Sequence, residues 1–325
     1  MSSDIAGGEE RILEVVRMAV VGEGTTRPRD LPTPAWVDHR PGPPWDEGHR
    51  EPTFGCRSRP LLVRVGQSRQ EVGPSCRIAP RSPSWLKAGS VLPRGVGYGP
   101  TVGSAHRVDR VFNPIAPTYE RGARLLSVGQ DNRWRRALVD GLDVRGALVL
   151  DVAAGTGSIT RLLAQRGARV ISLDRNEAML RRAVERDATG VLGTAEALPF
   201  PDSTFDAVVA GYLLRYVGDV AECLGELGRV LRPSGTAAML EFGRPHGFMR
   251  GAWWVYTRAG LPLIGALLGR GWWYTARFLG PSIDEFFDMH PVSRLLRLWD
   301  EAGFGDVRFR TMSLGSGLLM QGRLG

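Results

Sequence analysis

The chain has 325 residues, 43% of them hydrophobic and 23% charged, with a formal net charge of +8; that is enough apolar material for one large domain with an extension, or for two domains. All the basic residues except Lys87 are arginines scattered among acids, without a basic stripe interleaved with aromatics, so the charge reads as the base composition of the gene and argues against a nucleic-acid partner. Cys56, Cys76 and Cys223 are odd in number and too far apart for a Cys-x-x-Cys metal or redox motif, the N-terminus lacks the basic start and apolar run of a signal peptide, and no apolar segment reaches the ~18–20 residues that span a bilayer; a reducing cytoplasm and no metal are expected.

Residues 1–104 differ in composition from the rest of the chain. They hold 13 of the 22 prolines, including Pro41-Gly-Pro-Pro44, and beyond a short helix over Glu10–Val20 no periodicity lasts long enough to build a core. The expectation is a disordered extension, with a docking or regulatory tail as the alternative. Val102 and Val108 also mark alternative starts just before the patterned part, an expectation that a native mass near 35.5 kDa would rule out.

From Arg107 the pattern changes. Residues 107–141 read as helices with Tyr119 and Trp134 among arginines. Then comes an alternation: strand 147–152, helix 158–166, strand 169–173, helix 177–187, strand 190–193, strand 205–210, helix 219–231 and strand 235–241. Asn176 and Glu177 suit the start of the second of these helices as cap and first-turn acid. In helix 219–231, Val220, Cys223, Leu224, Leu227, Val230 and Leu231 fall on one stripe, which makes Cys223 a core residue rather than a nucleophile, and Pro233-Ser-Gly235 stops the helix. After an aromatic-rich insertion, Arg244–Pro291, a helix over 292–303 and strands 305–311 and 314–321 complete the set. The prediction is an α/β domain over 105–325 built on a doubly wound, mostly parallel seven-stranded sheet, with its ligand at the carboxyl ends of the strands.

The stretch Leu148–Asp174 opens this domain as strand, glycine turn, helix and a second strand closing on an acid. Gly155 and Gly157 would let backbone approach a ligand closely, the adjoining helix offers free N–H groups, and Asp174 could accept hydrogen bonds from two ribose hydroxyls. A Gly-x-Gly also occurs in ordinary tight turns. The third glycine of the dinucleotide fingerprint is missing, which disfavours a dehydrogenase.

Asp151, Gly155, Gly157 and Asp174 in this order resemble the Asp-x-x-x-Gly-x-Gly and subsequent acid of class I S-adenosylmethionine-dependent methyltransferases. Further strings are similar to the ubiquinone/menaquinone biosynthesis C-methyltransferase family: Val111–Tyr119, Leu126–Trp134, Ala195–Asp206, Arg229–Gly235, Leu240–Pro245 and Met289–Pro291. The resemblance covers about residues 107–325 and implies a Rossmann-like methyltransferase fold. It implies S-adenosylmethionine as cofactor, with Thr156 and the Gly155/Gly157 turn at its methionine part. Asp174 would then hold ribose, Thr194 with Ala195 would contact adenine beside Glu196, and Asp151 would orient the turn. Gly211 falls where the family often has a cofactor-bonding serine. The stretch Gly211–Val217 keeps Arg215 but departs from the family's usual Ser-Phe-Gly-Leu-Arg-Asn, with Leu213 for Gly and Tyr216 for Asn.

The implied reaction is C-methylation of a prenylated quinol such as demethylmenaquinol. Methyl transfer to a ring carbon needs an oriented pair and an acceptor hydroxyl that loses its proton. Arg215 is the candidate to stabilise the developing phenolate, against a surface salt bridge; Tyr119 could bond the acceptor or anchor the flank; His290 could take a proton or be structural. The Trp-rich insertion suits an apolar pocket, an ordinary core, or peripheral contact with a bilayer. Competing readings are a methyltransferase for another lipid or specialised metabolite, and a non-catalytic cofactor-binding module.

Overall fold

The computed structural model describes residues 61–65, 68–72 and 105–325 except Asp187. The expected helix over Glu10–Val20, the alternative start at Val102 and most of the extension read as disordered lie outside the described residues. Within that extension the described residues are β1 (Leu61–Val65) and β2 (Ser68–Val72), which form an antiparallel hairpin with Leu61 opposite Val72. Leu-Leu-Val-Arg-Val is a strand-forming run too short to show a period, and a hairpin of this size is marginal alone; here its first strand lies beside an edge strand of the main sheet, Thr189–Leu192.

Three helices come first: α1 (Ala105–Phe112), α2 (Tyr119–Leu126) and α3 (Gln130–Asp140). The alternating part then runs β3 (Leu148–Val152), α4 (Ser158–Gln165), β4 (Arg169–Asp174), α5 (Glu177–Val184), β5 (Thr189–Leu192), β6 (Phe205–Gly211), α6 (Val220–Val230) and β7 (Leu231–Phe242). The insertion folds as α7 (Met249–Val255), a π turn (Tyr256–Gly260), α8 (Leu261–Leu268) and α9 (Arg270–Met289). The chain ends with α10 (Val292–Glu301), β8 (Phe304–Met312) and β9 (Gly317–Leu324).

The seven-stranded sheet has the order β5-β4-β3-β6-β7-β9-β8. Its first five strands are parallel, and β9 inserts antiparallel between β7 and β8. Because β4 lies on one side of β3 and β6 on the other, the chain reverses direction across the sheet between β3 and β6, the crevice where doubly wound sheets bind ligands. Strand β3 is buried on both faces, as its unbroken Leu-Val-Leu-Asp-Val run requires.

Local chemistry explains the boundaries. Asn176 caps α5, its Oδ1 accepting the Met179 N–H at 2.9 Å, and Asp219 caps α6 by accepting from Ala221 and Glu222. After Val230 the chain passes directly into β7, and Pro233-Ser-Gly235 sits at a register shift against β6. The sequence reading ended α6 correctly but began the strand four residues late. Pro262 does not break the insertion's first helix either: its ring would crowd the Arg258 carbonyl, and the wide π turn lies directly before it.

The sheet is covered on both sides. One core packs α6, α9 and α10 against it through Leu224, Leu227, Ile283, Leu295 and Trp299; the other packs α3 and α4 through Leu138, Val139, Ile159 and Leu163. A third cluster, with Ile115, Leu126, Leu261, Trp272 and Ala276, joins the N-terminal helices to the insertion as one cover.

Candidate active site

Above the carboxyl ends of β3, β4 and β6, beneath that helical cover, lies a cavity of about 1120 Å³ open to solvent. Its floor on the sheet side is made by the glycine turn and by Asp174. Gly155 and Gly157 have φ of +59° and +77°, the left-handed region that glycine enters without strain. Asp174 Oδ2 accepts the Gly155 N–H and Oδ1 accepts the Asn176 N–H, each at 2.7 Å. Burial pushes the Asp174 carboxyl up to about 6, opposed by those two backbone bonds.

Ala195, Glu196 and Gly211 continue this wall. Glu196 Oε1 accepts the Gly218 N–H at 3.0 Å, which ties the β5–β6 connection to the loop after β6. At Gly211 a Cβ would stand 2.7 Å from Ile159 Cδ1, the far end of a side chain that would have to turn aside to admit it. The wider loop is held by Arg229, which donates to the carbonyls of Leu198 and Phe200 at 3.0 and 2.8 Å.

Four of the cofactor residues named from sequence stand behind the wall instead of lining the cavity. Asp151 is fully buried; its Oδ2 accepts from the Thr160 hydroxyl at 2.6 Å, its Oδ1 has no partner, and burial pushes it up to about 7. It braces the first turn of α4 against β3. Thr156 points its hydroxyl at Glu120 Oε1, at 3.4 Å, and Glu120 also accepts from Ser158 and Arg186, so this acid fastens α2 to the glycine turn. Gly157 and Thr194 shape the adjoining turns.

The opposite wall is apolar and helical, with Phe112, Tyr119, Leu126, Trp272 and Leu279 facing the cavity. Tyr119 stacks on Trp272 with ring centroids 6.3 Å apart. Asn176 reaches this cover too, donating from its amide to Asp109 and Asn113 at 2.7 Å each, so one residue caps α5 and holds α1 over the cavity.

Arg215 is a buried member of the lining, not a surface arginine. Its guanidinium lies 3.4 Å from Glu241 Oε2, donates to Ser282 Oγ at 3.1 Å and sits 4.9 Å from the Tyr216 ring centre. Burial works against its charge, and Tyr216 and Glu241 more than offset that, leaving its pKa above the ordinary value.

Sequence reasoning gave no role to a second buried group, Asp131, Arg135 and Tyr212. Asp131 accepts the Arg135 Nε–H at 2.9 Å to each oxygen and the Tyr212 hydroxyl at 2.7 Å. Both Asp131 and Tyr212 line the cavity. Tyr212 has a φ of +60° and Ala153, also in the lining, +56°; two side-chain-bearing residues in this conformation at strand ends are the kind of strain that collects at functional sites. Tyr119 and Tyr212 both have pKa values raised chiefly by burial, so each phenol is a hydrogen-bond donor at neutral pH.

His290 is placed differently from the other two candidates for chemistry. It ends α9, stacks on Phe286 at 5.2 Å, has an Nδ1 without a partner among the described residues, and does not line the cavity. Burial and Arg294 lower its pKa, so it is neutral near pH 7. Of the two roles the sequence left open for His290, this placement favours the structural one, since the turn of α9 into Pro291 directs its ring onto Phe286. Among the described residues no cluster of His, Cys, Asp and Glu could hold a metal.

Residues 101–322 match the ubiE/COQ5 methyltransferase family. The chain is 33% identical over 215 residues to the demethylmenaquinone methyltransferase of Tropheryma whipplei, covering 64% of this chain and 88% of that protein. It is 37% identical over 215 residues to the demethylmenaquinone methyltransferase of Thermus thermophilus, covering 63% and 96%. It is 33% identical over 231 residues to the ubiquinone/menaquinone biosynthesis C-methyltransferase UbiE of Hahella chejuensis, covering 66% and 90%.

Proposed function

This chain belongs to the ubiE/COQ5 methyltransferase family, and from that premise we propose that it methylates a ring carbon of a prenylated quinol of the demethylmenaquinol kind, with S-adenosylmethionine as donor. The observation that carries the reading is one cavity with two unlike walls, glycine turn and carboxylate on one side, aromatic rings with Arg215 on the other.

The residues fit the donor. Backbone without a Cβ stands at Gly155, and each Asp174 oxygen keeps a lone pair for a ribose hydroxyl after its backbone bond. When bound, S-adenosylmethionine supplies a methyl group on a sulfonium sulfur that keeps the bonding pair as the acceptor carbon takes the methyl. The aromatic wall orients the acceptor ring and excludes water, which is where most of the acceleration lies. Asp131 is the carboxylate on the acceptor side, held by the Tyr212 hydroxyl that donates to it, and it takes the proton of the ring hydroxyl. Arg215 then stabilises the resulting oxyanion in a water-poor site. Such an acceptor resides in a bilayer, and the enzyme meets it in peripheral contact there. Among the described residues no helix is long and apolar enough to cross a membrane.

One observation favours a second reading, another lipid or specialised small molecule as acceptor: Leu213 and Tyr216, the two residues at which the resemblance to the family breaks down, both line the cavity. The deciding experiment incubates the full chain with methyl-labelled S-adenosylmethionine and a demethylmenaquinol. Label on the ring supports the quinol reading. Tight donor binding with no labelled quinol would sink it and move the search to other acceptors.

A further inference from the structure

The cover over the cavity turns an unusual face outward. From Met249 to Leu268 the chain is continuous helix through the π turn, and Val255, Ala259, Leu263 and Leu267 recur at every fourth position, all exposed. Leu263 is 68% and Leu267 89% accessible, and Phe248 just before α7 is 90% accessible. Nothing charged interrupts this face before Arg270. On α9 the exposed Trp273 and Tyr274 extend it, and on α2, which packs beside α8, the exposed Leu125 and the neighbouring Val128 do the same. The helices that carry it are those that wall the cavity: Leu126 and Trp272 face inward one residue from Leu125 and Trp273 facing outward.

Charge accompanies the apolar surface. From Arg244 to Ile283 there are five arginines and not one aspartate or glutamate. Arg250 and Arg270 have no carboxylate partner among the described residues, nor do Arg121 and Arg124 on α2, while Arg277 lies over the Trp273 ring at 4.7 Å. The carboxylates resume only at Asp284, Glu285 and Asp288, toward the far end of α9.

We propose that this face docks on an anionic phospholipid bilayer. Leu263 and Leu267 enter the acyl boundary, Trp254, Trp273 and Tyr274 lie at headgroup level, and Arg121, Arg124, Arg250 and Arg270 sit over lipid phosphates. An apolar helix face rimmed by arginine and aromatic side chains is what lies in a bilayer interface without crossing it. A second copy of the chain fits the same face poorly, because a two-fold contact would bring unpaired arginines against one another. The inference rests on the reading that the acceptor is a lipid, and it specifies which surface meets that lipid's membrane and what charge the membrane carries.

The test uses the full chain with vesicles of phosphatidylcholine alone and of phosphatidylcholine with phosphatidylglycerol, separated by sedimentation. Binding is expected with the anionic vesicles, weakening as salt is raised. Leu263→Ser with Leu267→Ser, and separately Arg121→Glu with Arg124→Glu, each lower the bound-to-free ratio by roughly tenfold or more. The charge variants alter only exposed side chains, so they serve if the leucine variant folds poorly. Turnover of a long-tailed quinol in vesicles falls with binding, while turnover of a tail-free quinol in water is unchanged. Equal binding to both vesicle types, or binding that neither variant reduces, overturns the proposal. So does a wild-type dimer that the leucine variant dissociates, which would assign the face to a second copy. Variant-sensitive binding to anionic vesicles without turnover of any quinol supports the docking surface and overturns the quinol reading instead.

Discussion

The two walls of the cavity are built on different principles. The sheet side is built of backbone: a glycine turn and the ends of parallel strands form it, and one carboxylate, Asp174, is held in place by two N–H groups. The facing wall is made of side chains, rings from the helical cover together with two buried ionic groups, Arg135 with Asp131 on α3 and Arg215 after β6 with Glu241 on β7. A wall made of backbone is set by the fold and changes little with sequence; a wall made of side chains can be rewritten residue by residue. In the function proposed above, cofactor identity therefore belongs to the first wall and acceptor identity to the second.

The comparison can be broken hardest at Arg215. Arg215→Ala leaves Glu241 buried with little more than the Leu214 N–H, at 2.7 Å, to hold its charge. Removing one partner of a buried pair costs about 3–5 kcal/mol, to be read from urea denaturation. Replacing both partners, Arg215→Met with Glu241→Leu, should recover most of that stability and none of the turnover. Turnover recovering with stability would mean that the arginine is only a packing element of the helical wall.

Asp174→Asn probes the sheet side. The amide is uncharged and keeps only one acceptor oxygen, so donor binding measured by calorimetry should weaken by about 2–3 kcal/mol, while the fold is retained. The acceptor-side variants should leave donor affinity within a factor of about three, since they do not touch that wall.

The pH dependence of the same affinity sharpens the point. Burial raises the Asp174 carboxyl from its ordinary 3.8 to about 6, so the folded protein holds a proton there that the unfolded chain has lost across this window. The sign is therefore unfavourable to the unliganded fold, whose stability falls as pH rises from about 4 to 6 and then levels off. Donor binding runs the other way. If ribose needs the ionised carboxylate, affinity falls by about tenfold per unit below pH 6 and is flat above it. In Asp174→Asn that slope should vanish. A slope that survives the substitution would assign the titration to another group, Asp151 first, whose pKa is pushed up to about 7.

The contrast also explains what sequence could and could not show. Alternation of apolar runs and helical stripes gave the sheet, because each element declares itself within ten or so residues; the last two strands and the cap at Asn176 were readable for the same reason. The glycine turn with Asp174 was readable because its parts are close in sequence. The strings around Ala195–Asp206 and Arg229–Gly235 pointed to the family, and in the fold they are mutual staples, Arg229 on the carbonyls of the loop that presents Ala195 and Glu196. Invisible were contacts across the chain: Tyr212 to Asp131, 81 residues apart, and Arg215 to Glu241, 26 apart, follow no local period. His290 shows the reverse failure, since a titratable ring beside a proline says nothing about which side of its helix faces the cavity.

The smallest predicted effect tests whether that invisible group is structural or functional. Tyr212→Phe removes one hydroxyl and little volume. It leaves the stacking on Phe242 at 4.5 Å in place. Asp131 keeps both contacts with Arg135, so the carboxylate is not left unpaired and the stability loss should be only about 1 kcal/mol. If Asp131 receives the acceptor's proton, loss of the hydroxyl that orients its carboxylate lowers kcat, while donor affinity stays constant. If Asp131 only braces α3 against β6, the same variant melts slightly earlier and its kcat does not change. The two outcomes separate a proton acceptor from a brace without disturbing either wall's shape.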